Sequence, residues 1–254
     1  MGPNVWPNKD LLPTADFQTR CEQYYKAVSD LALKILEIVG ATLASDTNTT
    51  SNGNGMATSN GATNGKIHIP PVVHDLAHAN TFSACPLRLL HYPSASHSGS
   101  NTNKPQYGAS AHTDFGAITL LLQDENPGLE VLDTTAKGEG VWRPIEPNPD
   151  AYVVNIGDML SIVTGNAYKS SIHRVVCKRP ERERYSIVYF FEGCLDATLR
   201  PVEGVSFLEG AATATAGAGA APLKTVEEHM LERMAMSYGT GIKDARRDLK
   251  TESA

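Results

Sequence analysis

The sequence lacks several features that mark particular classes of protein. It has only four cysteines, Cys21, Cys85, Cys177 and Cys194, and no two of them form a CxxC pair. This scatter excludes a zinc knuckle and a disulfide framework, and it favours reduced thiols in a reducing compartment. No apolar run reaches about 18 residues, so the sequence predicts no transmembrane helix.

Positive charge is also scarce. Lys and Arg number 22 against 28 Asp and Glu, which gives a net charge of −6 at pH 7. The charge balance therefore argues against a nucleic-acid surface. The opening residues, MGPNVWPNKDLLP, contain neither a basic start nor an apolar stretch, so they do not read as a secretory signal. We expect a cytoplasmic protein that binds neither nucleic acid nor membranes.

A single domain over residues 1–254 suits the length and the hydrophobic pattern of the chain. Apolar residues recur at three- and four-residue steps over residues 14–43, which predicts an amphipathic helix. Thr14 or Asp16 is the expected cap of this helix. Residues 44–66 consist mainly of Ser, Thr, Asn and Gly and are predicted to form a disordered loop.

Residues 67–200 contain short β-like runs between turn residues. Six runs stand out: 87–93, 118–124, 129–133, 151–158, 170–178 and 185–193. Their spacing predicts a mainly β core, either a sandwich or a double-sheet jelly roll, with a flexible tip at 94–106. Residues 201–254 are predicted to be an Ala/Gly-rich linker and a C-terminal helix over 223–238.

Two polar residues, His112 and Asp114, directly precede the apolar run ITLLLQD. Chance alone supplies about one His-x-acid pair at this composition, so the pair by itself fits either a metal site or a strand edge. At the end of a strand, positions i and i+2 point the same way, so both side chains can bind one ion. His173 is the expected third ligand, from a facing strand across the sandwich. Two histidines and one carboxylate form the ligand set of non-haem iron(II) sites with open positions.

Arg184 and Ser186 form a second pair with i, i+2 spacing, in the strand-like run RYSIVYFF. An arginine beside a hydroxyl suits a carboxylate, which accepts two parallel charge-assisted hydrogen bonds from the guanidinium. The charged run KRPERERYS is typical of a solvated turn, and this interpretation is kept for Arg174, Arg179 and Arg182. Arg184 differs because it enters the apolar strand.

The order of these residues resembles the iron(II)/2-oxoglutarate-dependent dioxygenases, specifically their isopenicillin N synthase-like branch. The residues that carry the resemblance are His112-x-Asp114, His173 and Arg184-x-Ser186. The phrases LRLLHYP, AHTDFGAITLLLQD, NAYKSSIHRVV and RERYSIVYFF are also similar to this branch. Members of the branch carry a further region before the helix, so the resemblance implies that the N-terminal region of the family is missing here.

The resemblance implies a double-stranded β-helix, or jelly roll, with a long N-terminal helix and a C-terminal helix. It assigns Fe(2+) to three catalytic residues, His112, Asp114 and His173. It assigns the far carboxylate of the cosubstrate 2-oxoglutarate to Arg184 and Ser186, with assistance from Tyr92. Molecular oxygen is the second cosubstrate and takes the last open position on the iron.

The implied activity is oxidation of a small natural-product-like molecule in specialised metabolite biosynthesis, by hydroxylation, desaturation or ring closure. A monomer is expected. One alternative is an iron(II) oxidase that does not use 2-oxoglutarate, since isopenicillin N synthase-like and aminocyclopropane-carboxylate oxidases share the Arg-x-Ser pair. A second alternative is a truncated, non-catalytic remnant or binding module. A cupin-like isomerase fits least, because its usual metal set has an extra histidine.

The remaining polar and aromatic residues receive structural interpretations. Asn155, Gly157 and Asp158 are predicted to form a turn between strands. Core packing is expected for four apolar residues, with a substrate wall as the alternative: Leu90, Phe115, Tyr189 and Phe191. The other histidines are expected to be structural or exposed: His68, His74, His78, His91, His97 and His229.

Overall fold

The computed structural model describes residues 4–12, 14–49, 75–76, 83–94, 107–135, 140–177, 181–202 and 223–238. Within these ranges the strands form two four-stranded sheets with antiparallel pairing throughout. This two-sheet architecture is the jelly roll that the sequence predicts. The predicted flexible tip at 94–106 lies almost wholly outside the described residues.

The first sheet has the order β1-β8-β3-β6, so the first strand pairs with the last. Its strands are β1 (Leu87–Tyr92), β8 (Arg184–Phe191), β3 (Ile118–Gln123) and β6 (Val153–Ile156). The second sheet has the order β2-β7-β4-β5. Its strands are β2 (Tyr107–His112), β7 (His173–Val176), β4 (Leu129–Asp133) and β5 (Val141–Pro144). Each sheet thus interleaves strands from distant parts of the chain.

Two strands have no counterpart among the predicted runs. β2 has the sequence YGASAH, in which small and polar residues hide the strand pattern, and it is largely exposed. β5, with the sequence VWRP, is short and ends in proline. Both strands owe their conformation to pairing with neighbours, β2 with β7 and β5 with β4, rather than to a local apolar pattern.

The long helix α1 (Phe17–Thr49) extends further than predicted. The carbonyl of Asp16 accepts the N–H of Arg20 at 2.9 Å, which places Asp16 at the expected cap position. Gly40 does not end the helix, and Leu43 in the following turn is 2% exposed. Burial of a leucine contributes about 1.5–3 kcal/mol, more than the cost of about 1 kcal/mol for a helical glycine. The prediction of a disordered loop is therefore wrong for residues 44–49, and residues 50–66 lie outside the described ranges.

Helix α1 packs against the outer face of the first sheet. The buried cluster there joins residues of α1 to residues of β3 and β8: Val28, Ala32, Leu36, Ile118, Leu120, Tyr189 and Phe191. Ser29 also donates a hydrogen bond to the Tyr189 hydroxyl at 2.9 Å. Because strand residues alternate between faces, the residues between these point into the space between the sheets.

A short 3-10 helix, Lys9–Leu11, precedes α1, and two further α-helices lie after β6 in the described residues. Helix α2 (Asp158–Val163) is short, and only its first residue, Asp158, falls in the predicted strand-like run 151–158 and its turn. Helix α3 (Val226–Tyr238) lies within the predicted C-terminal helix, and Val226 and Met230 join the core. In the described part of the chain, no helix has the length and apolarity required to cross a membrane.

Candidate metal centre and active site

His112 and His173 are direct cross-strand neighbours. His112 is the last residue of β2 and pairs with His173, the first residue of β7, so both lie in the second sheet. Their ring centroids are 4.3 Å apart. The expectation of a facing strand is therefore wrong: the chain returns beside β2, and antiparallel pairing alone brings the two imidazoles together.

Asp114 follows β2 and turns its carboxylate toward both imidazoles. Its Oδ1 lies 3.9 Å from Nε2 of His112 and 3.6 Å from Nε2 of His173. One potential ligand atom from each of the three residues lies within 4.8 Å of the other two. Two imidazoles and one carboxylate in this arrangement are a facial donor set for a non-haem iron(II) ion.

The histidine tautomers suit metal binding. Nδ1 of His112 is 2.6 Å from the carbonyl of Ser110, and Nδ1 of His173 is 3.1 Å from the carbonyl of Ser171. Since a carbonyl only accepts, each neutral ring carries its proton on Nδ1. Each Nε2 then has a free lone pair directed toward Asp114, as a metal ligand requires.

Asn155 fixes the orientation of the Asp114 carboxylate. Its Nδ2 donates to Oδ2 of Asp114 at 2.7 Å, which leaves Oδ1 facing the histidines. Asn155 lies in β6 rather than in the predicted turn, and that prediction is wrong because pairing with β3 keeps the strand extended through Ile156. A polar residue inside the apolar run YVVNI is the signal that identifies it.

The start of α2 holds the loop that carries Asp114. The backbone N–H of Gly157 donates to the carbonyl of Ala117 at 2.9 Å, and the N–H of Asp158 donates to the carbonyl of Asp114 at 2.9 Å. The N–H of Met159 donates to the carbonyl of Gly116 at 3.0 Å. A Cβ on Gly157 would lie 2.1 Å from the Gly116 carbonyl oxygen, so this approach requires glycine. Gly157 and Asp158 thus begin a helix and do not form the predicted turn.

The Asp158 carboxylate extends this support. It accepts hydrogen bonds from Thr113 Oγ1 at 3.2 Å and from Ser170 Oγ at 2.7 Å. Its Oδ2 also lies 3.1 Å from Nε of Arg233 in α3. The guanidinium of Arg233 in turn lies 4.8 Å from the ring centroid of Phe115. The loop between His112 and Phe115 is therefore held from two separate helices.

Arg184 and Ser186 point inward from β8 in the first sheet, opposite the histidines. Both are buried, and Tyr185 between them is exposed. Nη2 of Arg184 donates to Oε1 of Gln123 at 2.9 Å, and its guanidinium carbon lies 4.9 Å from the ring centroid of Tyr92. Nε and Nη1 of Arg184 and the Ser186 hydroxyl have no hydrogen-bond partner among the described residues.

These unpartnered groups indicate what the site accommodates. Buried donors are almost always paired in native proteins, so a set of unpaired ones facing a cavity points to a ligand. A carboxylate can accept from a free N–H of Arg184 and from the hydroxyl of Ser186. Gln123, which holds the remaining nitrogen, has no signal in the sequence beyond being a polar residue at the end of an apolar strand.

A cavity of about 540 Å³ between the sheets joins the two groups of residues. His112, Asp114 and His173 line one part of it, and Tyr92, Arg184 and Ser186 line another. Apolar side chains cover most of the remaining wall: Leu90, Leu121, Val131, Val153, Val188 and Phe190. Leu90 thus takes the alternative role of wall residue, whereas Tyr189 and Phe191 belong to the core and Phe115 packs against it.

Glu192 is a buried carboxyl group that the sequence does not single out. Burial is the main cause that raises its pKa to about 8, and the negative charge of Asp114 raises it further, whereas Arg88 opposes the shift. A Cβ on Gly116 would lie 2.6 Å from Oε2 of Glu192, so the glycine leaves room for this carboxyl. In the absence of a metal the group is protonated at neutral pH.

The other charged residues have simpler roles. Arg174 is not the solvated residue predicted, because it lies 2.8 Å from Glu130 and stacks 3.9 Å from the ring centroid of Trp142. Arg182 is exposed, as predicted, and Arg179 lies outside the described residues. His91 is half-exposed and stacks on Tyr185, whereas His229 is buried. The remaining four of the other histidines fall outside the described ranges: His68, His74, His78 and His97.

Comparison with known proteins identifies the family. A family model of the 2OG-Fe(II) oxygenase superfamily matches residues 83–193, which include every candidate site residue predicted from the sequence. The chain is 43% identical over 243 residues to the 2-oxoglutarate-dependent dioxygenase citB of Monascus ruber, spanning 96% of this chain and 62% of that protein. The chain belongs to the 2OG-Fe(II) oxygenase superfamily.

A further sequence relative and a solved structure also resemble this chain. Clavatol oxidase claD of Penicillium crustosum is 37% identical, over 93% of this chain and 59% of its own length. The crystal structure of a 2OG-Fe(II) oxygenase family protein from Caulobacter crescentus superposes with a TM-score of 0.65 at 28% identity, covering 93% of this chain and 63% of that chain. This structural likeness confirms the jelly-roll fold. The chain spans about 60% of the length of the two curated relatives.

Proposed function

We propose that this chain is a non-haem iron(II)- and 2-oxoglutarate-dependent dioxygenase. Its reaction is hydroxylation, desaturation or ring closure of a small natural-product-like molecule in specialised metabolism. The observation that carries the proposal is the pairing, across one cavity, of the His112, Asp114 and His173 donors with the unpartnered groups of Arg184 and Ser186. Two relatives, the 2-oxoglutarate-dependent dioxygenase citB and clavatol oxidase claD, support it.

Three residues hold the iron in this proposal. His112 and His173 bind through Nε2, and Asp114 binds through the carboxylate that Asn155 orients. These three donors would leave the remaining coordination positions of the ion for 2-oxoglutarate and oxygen. The iron and 2-oxoglutarate, when bound, supply the activation of molecular oxygen that oxidises a C–H bond.

Three residues hold the far carboxylate of 2-oxoglutarate. Arg184 presents two free nitrogens, Ser186 adds a hydroxyl, and the ring of Tyr92 lies against the guanidinium and limits its rotation. Charge-assisted hydrogen bonds of this kind contribute about 1.5–3 kcal/mol each when buried. The apolar wall excludes water from the space between this end and the metal, which strengthens these bonds.

The cellular context follows from coarser observations. All four cysteines are free thiols, and two of them are buried. The free thiols favour a reducing compartment, and the net charge of −6 argues against a nucleic-acid surface. The proposal is accordingly a monomeric, single-domain enzyme of the cytoplasm that acts on a small molecule and binds neither nucleic acid nor membranes. Gel filtration and subcellular fractionation test these points separately from the chemistry.

The experiment that tests the proposal is an anaerobic visible spectrum of the purified protein, titrated first with Fe(II) and then with 2-oxoglutarate. We expect a weak charge-transfer band that requires both additions. His112→Ala and Arg184→Ala should each abolish the band at equimolar additions. The control, Arg182→Ala, changes an exposed arginine of the same segment and should retain the full band.

Two results would contradict the proposal. A folded wild-type protein without the band would exclude chelation of 2-oxoglutarate and favour an iron(II) oxidase of the isopenicillin N synthase-like kind. A band of full intensity in Arg184→Ala would show that this residue does not hold the cosubstrate. Circular dichroism of each variant establishes that the fold is intact.

A further inference from the structure

Two arginines, Arg88 and Arg184, lie on the cavity-facing side of the first sheet at different positions along their strands. Alternate residues of β1, namely Arg88, Leu90 and Tyr92, line the cavity. Tyr92 pairs with Arg184, and Arg88 pairs with Val188. Four residues along a strand correspond to about 13 Å. Arg88 therefore lies at the opposite end of this cavity wall from the Arg184 position.

Arg88 has no hydrogen-bonded or ion-paired carboxylate in the described part of the chain. Its guanidinium lies 5.1 Å from the ring centroid of Phe190, and it acts on the buried Glu192 carboxyl only through space, with no ion pair between the two in the described part of the chain. Arg174 and Arg233, by comparison, lie within 2.8 and 3.1 Å of carboxylates. Stacking on an aromatic ring orients a guanidinium and leaves the N–H groups at its edge free to bind an anion.

The wall between Arg88 and the candidate metal ligands is mainly apolar. Leu90, Leu121, Val153 and Val188 cover it, and Phe190 lies beneath the guanidinium. A ligand that fills this space buries an apolar body against these side chains. A negative charge at its outer end would meet the free guanidinium.

We propose that Arg88 binds an anionic oxygen of the substrate, either a carboxylate or an ionised phenol, and so directs the apolar part of the molecule toward the metal. This inference rests on the proposed function, because it takes the Arg184 end of the cavity as the place of 2-oxoglutarate. It divides the two guanidiniums between two acids: Arg184 binds the cosubstrate and Arg88 binds the substrate. The substrate is then a small amphiphilic acid rather than a neutral lipophile.

Calorimetric titration of the complex with Mn(II) and 2-oxoglutarate tests this assignment without turnover. The probes share one apolar body: 4-methylbenzoate, 4-methylbenzamide and, at mildly alkaline pH, 4-methyl-2-nitrophenolate. We expect the wild type to bind at least one anion roughly 10-fold or more tightly than the amide, the scale of a charge-assisted hydrogen bond. Which anion is preferred distinguishes a carboxylate substrate from a phenolic one.

Three variants make the test specific to Arg88. Arg88→Met should bring the anion and amide affinities to within about 2-fold, and Arg88→Lys should keep part of the preference because it keeps the charge. Arg182→Met, an exposed control, should behave as the wild type. The affinity for 2-oxoglutarate, measured in the same samples, should not change in any of them.

The results separate this inference from the proposed function. If wild-type protein binds Mn(II) but not 2-oxoglutarate, the proposed function fails and this inference fails with it. If 2-oxoglutarate binds but the wild type binds neither anion more tightly than the amide, only the inference about Arg88 is overturned. The same holds if 2-oxoglutarate binds and none of the probes does. A preference that survives in Arg88→Met overturns it as well.

Discussion

Arg233 and Thr113 are joined by a hydrogen bond of 2.9 Å from Nη2 to Oγ1, although 120 residues separate them in the chain. Thr113 lies between the candidate ligands His112 and Asp114. Arg233 belongs to α3, beyond residues 83–193 that match the family model. A helix outside the matched segment thus supports the loop that carries the candidate ligand Asp114.

Replacing Arg233 with methionine should weaken metal binding. The loss of the contacts to Thr113 and Asp158 frees the loop, and outer-sphere contacts of this kind are worth roughly 10–100-fold in metal affinity. Arg233→Lys retains the charge but not the planar group, so its affinity should fall between those of Arg233→Met and the wild type. The dissociation constant for Mn(II), measured by electron paramagnetic resonance, reports the effect directly. Arg182→Met should leave this constant unchanged, and equal constants for Arg233→Met and wild type would refute the supporting role.

Asn155 should matter for the metal and not for the fold. Asn155→Ala removes the hydrogen bond that orients Asp114, and we expect Mn(II) affinity to fall by about 10–100-fold. Asn155→Asp should be worse, because it places a second carboxylate against Oδ2 of Asp114. Co(II) absorption spectra, which respond to coordination geometry, should change in both variants. Unaltered spectra would mean that the bond is incidental.

Gln123 should act on 2-oxoglutarate through Arg184. Gln123→Leu removes the acceptor for Nη2 and leaves the guanidinium held by Tyr92 alone. We expect the dissociation constant for 2-oxoglutarate to rise about 5- to 10-fold, less than the roughly 10- to 100-fold scale of a buried hydrogen bond to a charged group, because Gln123 acts on 2-oxoglutarate only through Arg184. The Mn(II) constant should stay the same, since Gln123 has no contact with the metal ligands. A parallel loss of both affinities would instead indicate general damage to the sheet.

The sequence predicts the candidate ligand residues because their spacing follows strand periodicity. His112 with Asp114, and Arg184 with Ser186, are i, i+2 pairs, and alternation places each pair on one face. This reasoning does not identify Asn155 and Gln123, because each is a single polar residue in an apolar strand and forms no i, i+2 pair within it. Their importance arises from partners on other strands, which only the tertiary structure supplies.

The limits of predicting the fold have a similar origin. The six apolar runs correspond to six of the eight strands in the described ranges, whereas β2 and β5 depend on pairing with neighbouring strands. Helix α1 passes Gly40 because Leu43 is buried against the core, a stabilisation that local propensity does not include. The position of His173 beside His112, and not opposite it, likewise follows from the sheet order.

Glu192 predicts a pH dependence of stability in the metal-free protein. Its pKa is raised from 4.5 to about 8, so the fold favours the protonated form. The stability associated with this proton is fully present below the unfolded pKa of about 4.5 and is lost as pH rises through about 8. At about 1.4 kcal/mol per pKa unit, the loss has an upper bound of roughly 5 kcal/mol.

Denaturant unfolding with EDTA present, at several pH values, measures this dependence. The free energy of unfolding of the wild type should decrease as the pH rises from about 4.5 to about 8. The Glu192→Gln variant should not show this decrease. Subtracting the two curves removes contributions from groups common to both, including His229, whose burial lowers its pKa. Parallel curves for the two proteins would show that Glu192 titrates normally.

The interleaved order of the two sheets has a consequence for biosynthesis. The candidate metal ligands lie at or just beyond the ends of β2 and β7, the residues proposed to bind the carboxylate lie on β8, and β8 pairs with β1. A ribosome-bound chain that stops before residue 184 has the histidines but not the arginine. Since such long-range pairings form late in folding, iron taken up by a growing chain would meet no cosubstrate until the last strand is in place. Under the proposed function, oxygen activation would therefore require the finished domain.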